Sequence, residues 1–282
     1  MNILHITDLH FGPRHWHGDD NLLLERLNAF NADIVLNTGD NTSDSLPEEY
    51  REAGEFLSKL KCRNIFSIIG NHDKFSMRAL EMFRKCIYDG EFIHPKDPSK
   101  VQKPKLFINS AMSNLEDNFT EVNYLRMMEI DGERVLFVCI DTNLCQKHDG
   151  FVEPQILEAL RDEMSKLTYD RVLMLSHHSL LATDECPLIN SKQVTDFILE
   201  TGIEATFCGH THKLDIVEVS DLVRGKKFRQ FMCGTLSAKG SGTEGNMFCT
   251  YENFGTSDEV ITITRVYPTD GGLEFVETVL DR

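Results

Sequence analysis

Nowhere does this sequence hold an apolar run of about 18 residues, the least that a membrane-spanning helix needs. It has no C-x-x-C pair, so it lacks the thiolate-rich spacing of a structural zinc site. No basic segment precedes its first apolar stretch, MNILHITDLHF, so a secretory signal peptide is not expected. It shows no internal repeat and no low-complexity tract. Positive charge is also short: 29 Lys and Arg against 45 Asp and Glu leave a formal charge of -16. That balance argues against non-specific binding to a nucleic-acid backbone or an anionic membrane. It does not exclude a phosphate substrate, because bound metal ions reverse the field locally.

What the 282 residues do contain is enough apolar mass, 41%, for one sizeable core. The eight cysteines sit partly in strand-like runs such as VLFVCID and ATFCG. They read as free, buried thiols of a protein from a reducing, cytoplasmic compartment. Strand-like and helix-like segments alternate through the first half. NILHIT (2–7), DIVLNTGD (33–40) and NIFSIIGNHD (64–73) read as strands. Residues 21–30, 47–60 and 76–86 read as helices, the second opening on Pro47 and two acids as a helix start should. Further on, PKLFINSA (104–111), 121–130 and 131–141 read as strands, the last two joined by an Asp131-Gly132 hairpin turn. Helix 153–167, strand 171–178, helix 190–202 with Gly202 as its stop, and strand 203–210 follow. Beyond residue 213 the pattern is strands alone: 214–219, 228–233, 246–252, 260–265 and 274–280. This is an α/β chain. Segments 94–104 and the glycine-rich 234–246 are linker candidates, but neither divides the sequence, so one domain over 1–282 is expected, with a β-rich part from 214 onward.

The chemistry gathers where strands end. Asp8 and His10 close the first strand, Asp40 and Asn41 the second, and Asn71, His72 and Asp73 follow the third. His177 and His178 end the strand from 171, and His210 and His212 the strand from 203. In α/β folds ligands collect beyond the carboxyl ends of strands. Singly, each of these reads as a turn or a packed side chain. Together they would need a coincidence at each of five strand ends. Carboxylate, amide and imidazole donors suit borderline divalent metals, and two metals about 3.5–4 Å apart can share a hydroxide and polarise a phosphoryl group.

The set Asp8-x-His10, Gly39-Asp40, Gly70-Asn71-His72-Asp73, His177 and Gly209-His210-x-His212 resembles the motif blocks of the calcineurin-like metallophosphoesterases, in the family's order and over residues 8–212. The resemblance implies a two-layered sandwich, two central β-sheets flanked by helices in an α-β-β-α arrangement. It implies two metal ions, manganese, iron or zinc. One would be held by Asp8, His10, Asp40 and His212, the other by Asp40, Asn71, His177 and His210, with Asp40 bridging. His178 lies beside the set without a carried-over role. His72 resembles the family histidine that contacts the phosphoryl group, and Asp73 is expected to orient it or keep it protonated. The implied reaction is hydrolysis of a small phosphoester by a metal-bridging hydroxide. The compact chain and its DLHFG opening look most like bacterial-type cyclic nucleotide phosphodiesterases, which points to a phosphodiester. Phosphomonoesters, nucleotide pyrophosphates, nuclease action and a non-catalytic metal-binding regulatory role are the alternatives. Trp16 or Phe11 is a candidate platform for a base, and Arg14-His15-Trp16-His17 a candidate entrance. A homo-oligomer is compatible with the sequence.

Overall fold

In a computed structural model of the chain, the described residues are 1–76, 78–97, 101, 121–181, 186–241 and 244–280. Their strands are β1 (Ile3–Ile6), β2 (Ile34–Asn37), β3 (Ile65–Ser67), β4 (Tyr124–Ile130), β5 (Glu133–Cys139), β6 (Arg171–Leu175), β7 (Ala205–Cys208), β8 (Asp215–Asp221), β9 (Lys226–Met232), β10 (Asn246–Glu252), β11 (Val260–Thr269) and β12 (Gly272–Leu280). The helices are α1 (Asp20–Ala29), α2 (Pro47–Ser58), α3 (Ala79–Cys86), α4 (Pro154–Met164) and α5 (Ser191–Thr201). The strands form two six-stranded sheets, ordered β12-β11-β10-β1-β2-β3 and β4-β5-β6-β7-β9-β8. Both are mixed. β1-β2-β3 run parallel, as do β5-β6-β7-β9, while the remaining pairs are antiparallel.

The layers follow from the period-2 alternation of strand side chains. In β1, Ile3 faces the core between the sheets and Leu4 and Ile6 face α1 and α2. In β5, Val135, Phe137 and Cys139 point inward, while Leu136 and Val138 pack on α4 and α5. Strands buried on both faces read as continuous apolar runs, which is why these segments look uniform in sequence. The expected α-β-β-α sandwich is therefore present. The strands after His212 are shared between the sheets, β8 and β9 in one and β10 to β12 in the other.

Local expectations also hold. Asp131 and Gly132 have φ of 55° and 81°, the left-handed pair that a tight two-residue hairpin needs between β4 and β5. Gly202, at φ 76°, terminates α5. The 234–246 segment departs from its reading as a linker. Gly234 to Ala238 are buried, and Leu236 N donates to Thr7 O at 2.9 Å. The expected strand 104–111 and most of the 94–104 segment lie outside the described residues. All eight cysteines are free, but only five are buried; Cys62, Cys86 and Cys186 are partly exposed. Among the described residues, no helix is long and apolar enough to cross a membrane.

Candidate metal centre

The parallel strands deliver their carboxyl ends to one edge of the sandwich. There the loops after β1, β2, β3, β6 and β7 meet, because sheet order sets β1 beside β2 and β6 beside β7. Asp8 N donates to Gly39 O and His10 N to Asp40 O, so the first two loops are laced together. Five of the candidate residues, Asp8, His10, Asp40, His210 and His212, have φ between 50° and 77°. Left-handed backbone is uncommon for residues with a Cβ and is characteristic of strained functional sites. The turn after each strand swings the side chain back across the strand end.

Two donor sets result. In the first, Asp8 Oδ1 lies 3.2 Å from His212 Nε2 and 3.6 Å from His10 Nε2, and Asp40 Oδ2 is 3.7 Å from His10 Nε2. The two imidazoles face each other, Nε2 to Nε2, at 3.0 Å. In the second, Asp40 Oδ1 is 3.4 Å from His177 Nε2, and Asn71 Oδ1 is 3.0 Å from His177 Nε2 and 2.9 Å from His210 Nδ1. The two oxygens of Asp40 thus turn to different sets. His210 and His212, two residues apart, also divide between them.

The surroundings fix these atoms. Asp8 Oδ2 accepts from Thr7 Oγ1 at 2.7 Å and from His210 N at 3.0 Å, leaving Oδ1 aimed inward without a hydrogen-bond partner. His177 Nδ1 donates to Thr38 O at 2.8 Å, which directs Nε2 into the cluster. Thr235 Oγ1 donates to Asp8 O and Ser237 Oγ to Leu9 O, so the buried 234–238 segment braces the first loop from below. Gly70 and Gly209 serve close approach. A Cβ at Gly70 would overlap Asp40 N and Oδ1, and one at Gly209 would overlap Thr7 Oγ1 and Asp8 Oδ2. Of the loop glycines 39, 70 and 209, only Gly39 has positive φ, 99°. Gly70→Ala is expected to destabilise the fold by about 1–3 kcal/mol, because a backbone nitrogen cannot yield as a side chain can. Thermal melting of the metal-free variant checks this; an unchanged midpoint would contradict the packing.

Electrostatics follow from burial. Burial penalises the charged forms of Asp8 and Asp40, but the facing histidines outweigh it and hold both carboxyls well below the usual range. Burial also disfavours a charged His177, yet the Asp40 charge and hydrogen bond prevail and raise it to about 9. The charged ring then donates from both nitrogens, to Thr38 O and toward Asn71. For His212 burial is likewise outweighed by Asp8, and its pKa rises. Burial, reinforced by the His177 charge, lowers His210 to about 4.

These residues fit a pair of metal ions. Two buried carboxylates, an inward oxygen without a partner and two imidazole nitrogens in mutual contact are an arrangement that cations relieve. Potential donor atoms of Asp8, His10 and His212 lie within 4.8 Å of one another, as do those of Asp8, Asp40 and His177, and of His10, Asp40 and His72.

His72 stands beside the first set, its ring centroid 4.9 Å from that of His10. Its backbone N donates to Asp40 Oδ1 at 2.8 Å and its Nδ1 to Ser43 O at 2.7 Å. The expectation that Asp73 orients His72 is corrected here. The Asp73 carboxylate accepts from Gly70 N, Asn41 N and Nδ2, and Thr42 N and Oγ1, at 2.8–3.1 Å. It ties the second loop to the third, and the Ser43 carbonyl holds the ring. His178 packs its ring on His210, centroids 4.2 Å apart, but its nitrogens point elsewhere, Nδ1 against Thr142 Oγ1 and Nε2 against His148 O, each at 2.8 Å. Cys208 is fully buried. Trp16 is no platform for a base, since it is packed under the first loop with Nε1 donating to Asp20 Oδ1 at 2.8 Å. Phe11 is buried and stacked on His15 at 4.2 Å.

Two contributors escaped sequence reading. His148 Nδ1 accepts from Asn71 Nδ2 at 2.9 Å and so turns Asn71 Oδ1 toward the histidines. Lys74 is buried, with Nζ 2.9 Å from Asp141 Oδ2 and 3.0 Å from Asn143 O, and it clamps the third loop to the chain after β5. Lys74 directly follows the Gly-Asn-His-Asp block and Asp141 closes a strand, but pairing them needs the sheet order.

The fold and its paired donor sets define a class: an α/β sandwich whose strand ends carry donor sets able to hold metal ions. The family model for calcineurin-like phosphoesterases matches residues 1–214, and the chain belongs to that family. Membership indicates a metal-dependent phosphoesterase. Among solved structures, a dimetal phosphatase from Danio rerio shares 13% identity with a TM-score of 0.55, covering 98% of each chain. A purple acid phosphatase from yellow lupin seeds shares 10%, TM-score 0.57, covering 94% of this chain and 51% of the other. Haemophilus influenzae NAD nucleotidase shares 14%, TM-score 0.52, covering 99% of this chain and 53% of the other. At these identities the likeness is one of fold. No curated protein matches the sequence at a significant level.

Proposed function

We propose that this protein hydrolyses a phosphodiester, with cyclic nucleotides the first class to test, at a two-metal centre. One ion would be held by Asp8, His10, Asp40 and His212, the other by Asp40, Asn71, His177 and His210. The observation that carries this reading is Asp40, whose Oδ2 faces His10 while its Oδ1 faces His177. When bound, the ions supply an activated water and polarise the phosphoryl oxygens. The chain's own residues do the rest. Asn71 adds a neutral oxygen, which limits negative charge around an anionic substrate. His72, with Nδ1 committed to Ser43, presents Nε2 as the atom able to hold a proton near the leaving oxygen. The diester assignment is supported by the DLHFG opening and its resemblance to small phosphodiesterases.

The test is a panel with added Mn2+: cyclic nucleotides, linear diesters, monoesters and single-stranded DNA. Preference for monoesters would overturn the diester assignment and leave the centre intact. Full metal content with no turnover of any member would favour a regulatory protein.

Metal uptake should depend on pH in a determined direction. In the metal-free protein His177 titrates at about 9, so at pH 7 it carries a proton that ligation must displace. Apparent affinity should rise as pH climbs toward 9, with about one or more protons released per protein at pH 7. The metal-free fold should move the other way. A pKa raised above the unfolded value of about 6.5 contributes stability that is complete below that pH and fades as pH rises through the folded value. Calorimetry in buffers of different ionisation enthalpy counts the protons, and melting of the chelated protein between pH 6.5 and 9 reads the second trend. Uptake without proton release would contradict the assignment.

A further inference from the structure

We infer that His148 is a substrate-contacting residue: its Nε2–H donates to a non-bridging oxygen of the phosphoryl group at the mouth of the centre. This rests on the proposed phosphoester reading and applies to a diester and a monoester alike. His148 belongs to none of the motif blocks.

The position of its proton follows from the neighbouring amide. Asn71 Oδ1 faces His177 Nε2 at 3.0 Å and His210 Nδ1 at 2.9 Å. An amide with its oxygen turned inward has its NH2 turned outward, and that NH2 meets His148 Nδ1 at 2.9 Å. Nδ1 must then accept, so the ring carries its proton on Nε2. Nε2 has no hydrogen-bond partner among the described residues, and the residue is exposed. His72 has the opposite arrangement. Its Nδ1 donates to Ser43 O at 2.7 Å, so its Nε2 is the nitrogen that takes or gives a proton. The two rings lie 5.3 Å apart, centroid to centroid, His72 beside the first donor set and His148 against Asn71 of the second. A phosphoryl group that spans both sets meets a fixed donor on one side and a proton carrier on the other.

Although exposed, the ring is held. Phe75 meets both rings edge to face, its centroid 4.8 Å from His72 and 5.8 Å from His148. Gln146 N donates to Lys74 O and Gln146 Nε2 to Phe75 O, each at 3.3 Å, so the loop carrying His148 lies along the third motif loop. From the other side His178 Nε2 donates to His148 O at 2.8 Å. The adjacent histidines 177 and 178 thus divide, one ring to the second donor set and the other to the loop that presents His148. A donor fixed before the reaction costs no reorganisation as negative charge shifts among the phosphoryl oxygens. His148 forms no bond to phosphorus and keeps its proton throughout.

The experiment uses the full-length Mn2+-loaded protein with His148→Asn and His148→Gln variants. Asparagine places an acceptor oxygen where Nδ1 stands and no donor where Nε2 stands, whereas glutamine reaches the Nε2 position and leaves the Nδ1 position empty. Elemental analysis reads bound metal, calorimetry reads binding of inorganic phosphate, and turnover is measured on methyl aryl phosphates and aryl phosphates whose phenols differ in pKa. His148→Asn should keep its metal, bind phosphate about 10-fold more weakly and lose about 10- to 100-fold in kcat/KM, by the same factor for good and poor leaving groups. His148→Gln should take up Mn2+ less tightly yet, once saturated, bind phosphate more tightly than His148→Asn. Loss of metal by His148→Asn would reduce His148 to a support for Asn71 and overturn the contact. So would unchanged phosphate binding, or a loss that grows with the pKa of the leaving group, which is the behaviour expected of His72. Should the wild-type protein turn over no ester, the phosphoesterase reading falls, and phosphate binding by wild type against His148→Asn still decides the contact.

Discussion

Asp40→Asn is expected to strip most of the metal from the protein and to lower kcat/KM by about a thousandfold or more, with the fold retained. Asparagine has the same shape and tolerates the left-handed backbone found here, φ 52°. Its amide oxygen can still accept from His72 N, as Asp40 Oδ1 does at 2.8 Å. The NH2 group then replaces Oδ2 opposite His10, so the first donor set loses an oxygen ligand and both sets lose the shared negative charge. Two-metal catalysis contributes several kcal/mol of transition-state stabilisation, and about 4 kcal/mol is a thousandfold in rate. Elemental analysis of bound metal and turnover of bis(p-nitrophenyl) phosphate read the result. Full metal content with unchanged turnover would remove Asp40 from the bridging role. A metal-free control is available by NMR titration. Asp40 is what outweighs burial at His177, so the ring's pKa should drop well below about 9 in this variant.

His72→Asn should behave differently: metal retained, turnover reduced. General acid assistance contributes about 10²–10⁴-fold. The loss should be near the lower end for good leaving groups such as p-nitrophenolate, which need little protonation, and larger for alkoxides. Burial lowers the His72 pKa, which makes its charged form a stronger acid and a readier donor once a phosphate anion beside it favours protonation. Potential donor atoms of His72, His10 and Asp40 lie within 4.8 Å, so metal content separates two roles. Loss of metal would make His72 a ligand. Retained metal with unchanged turnover would leave it without a catalytic part.

Much of the centre is legible in the sequence. Asp8, His10, Asp40, Asn71, His177, His210 and His212 follow from strand ends and motif order, and the structure brings all of them to one edge of the sandwich. What escaped were contacts made between loops. Asp73 follows His72 in the chain, yet its carboxylate binds the backbone of Asn41 and Thr42, because β2 and β3 are neighbours. His148 lies far along the chain from Asn71 but sets its amide. Gly70 and Gly209 belong to the motif blocks, but what requires glycine there is not local. Both are pressed against another loop, which no local turn pattern reveals.

The sequence by itself determined the alternation of strands and helices, the types of donor atom and their order along the chain. These are local properties, set by side-chain periodicity and by the chemistry of single residues. Only the tertiary structure decided how close the donors come, which ring nitrogen faces inward, and that the Asp73 carboxylate binds the second loop while the Ser43 carbonyl holds His72. Sheet order and loop contacts fix those, through atoms a few ångströms apart in space and 202 residues apart in the chain in the case of His10 and His212.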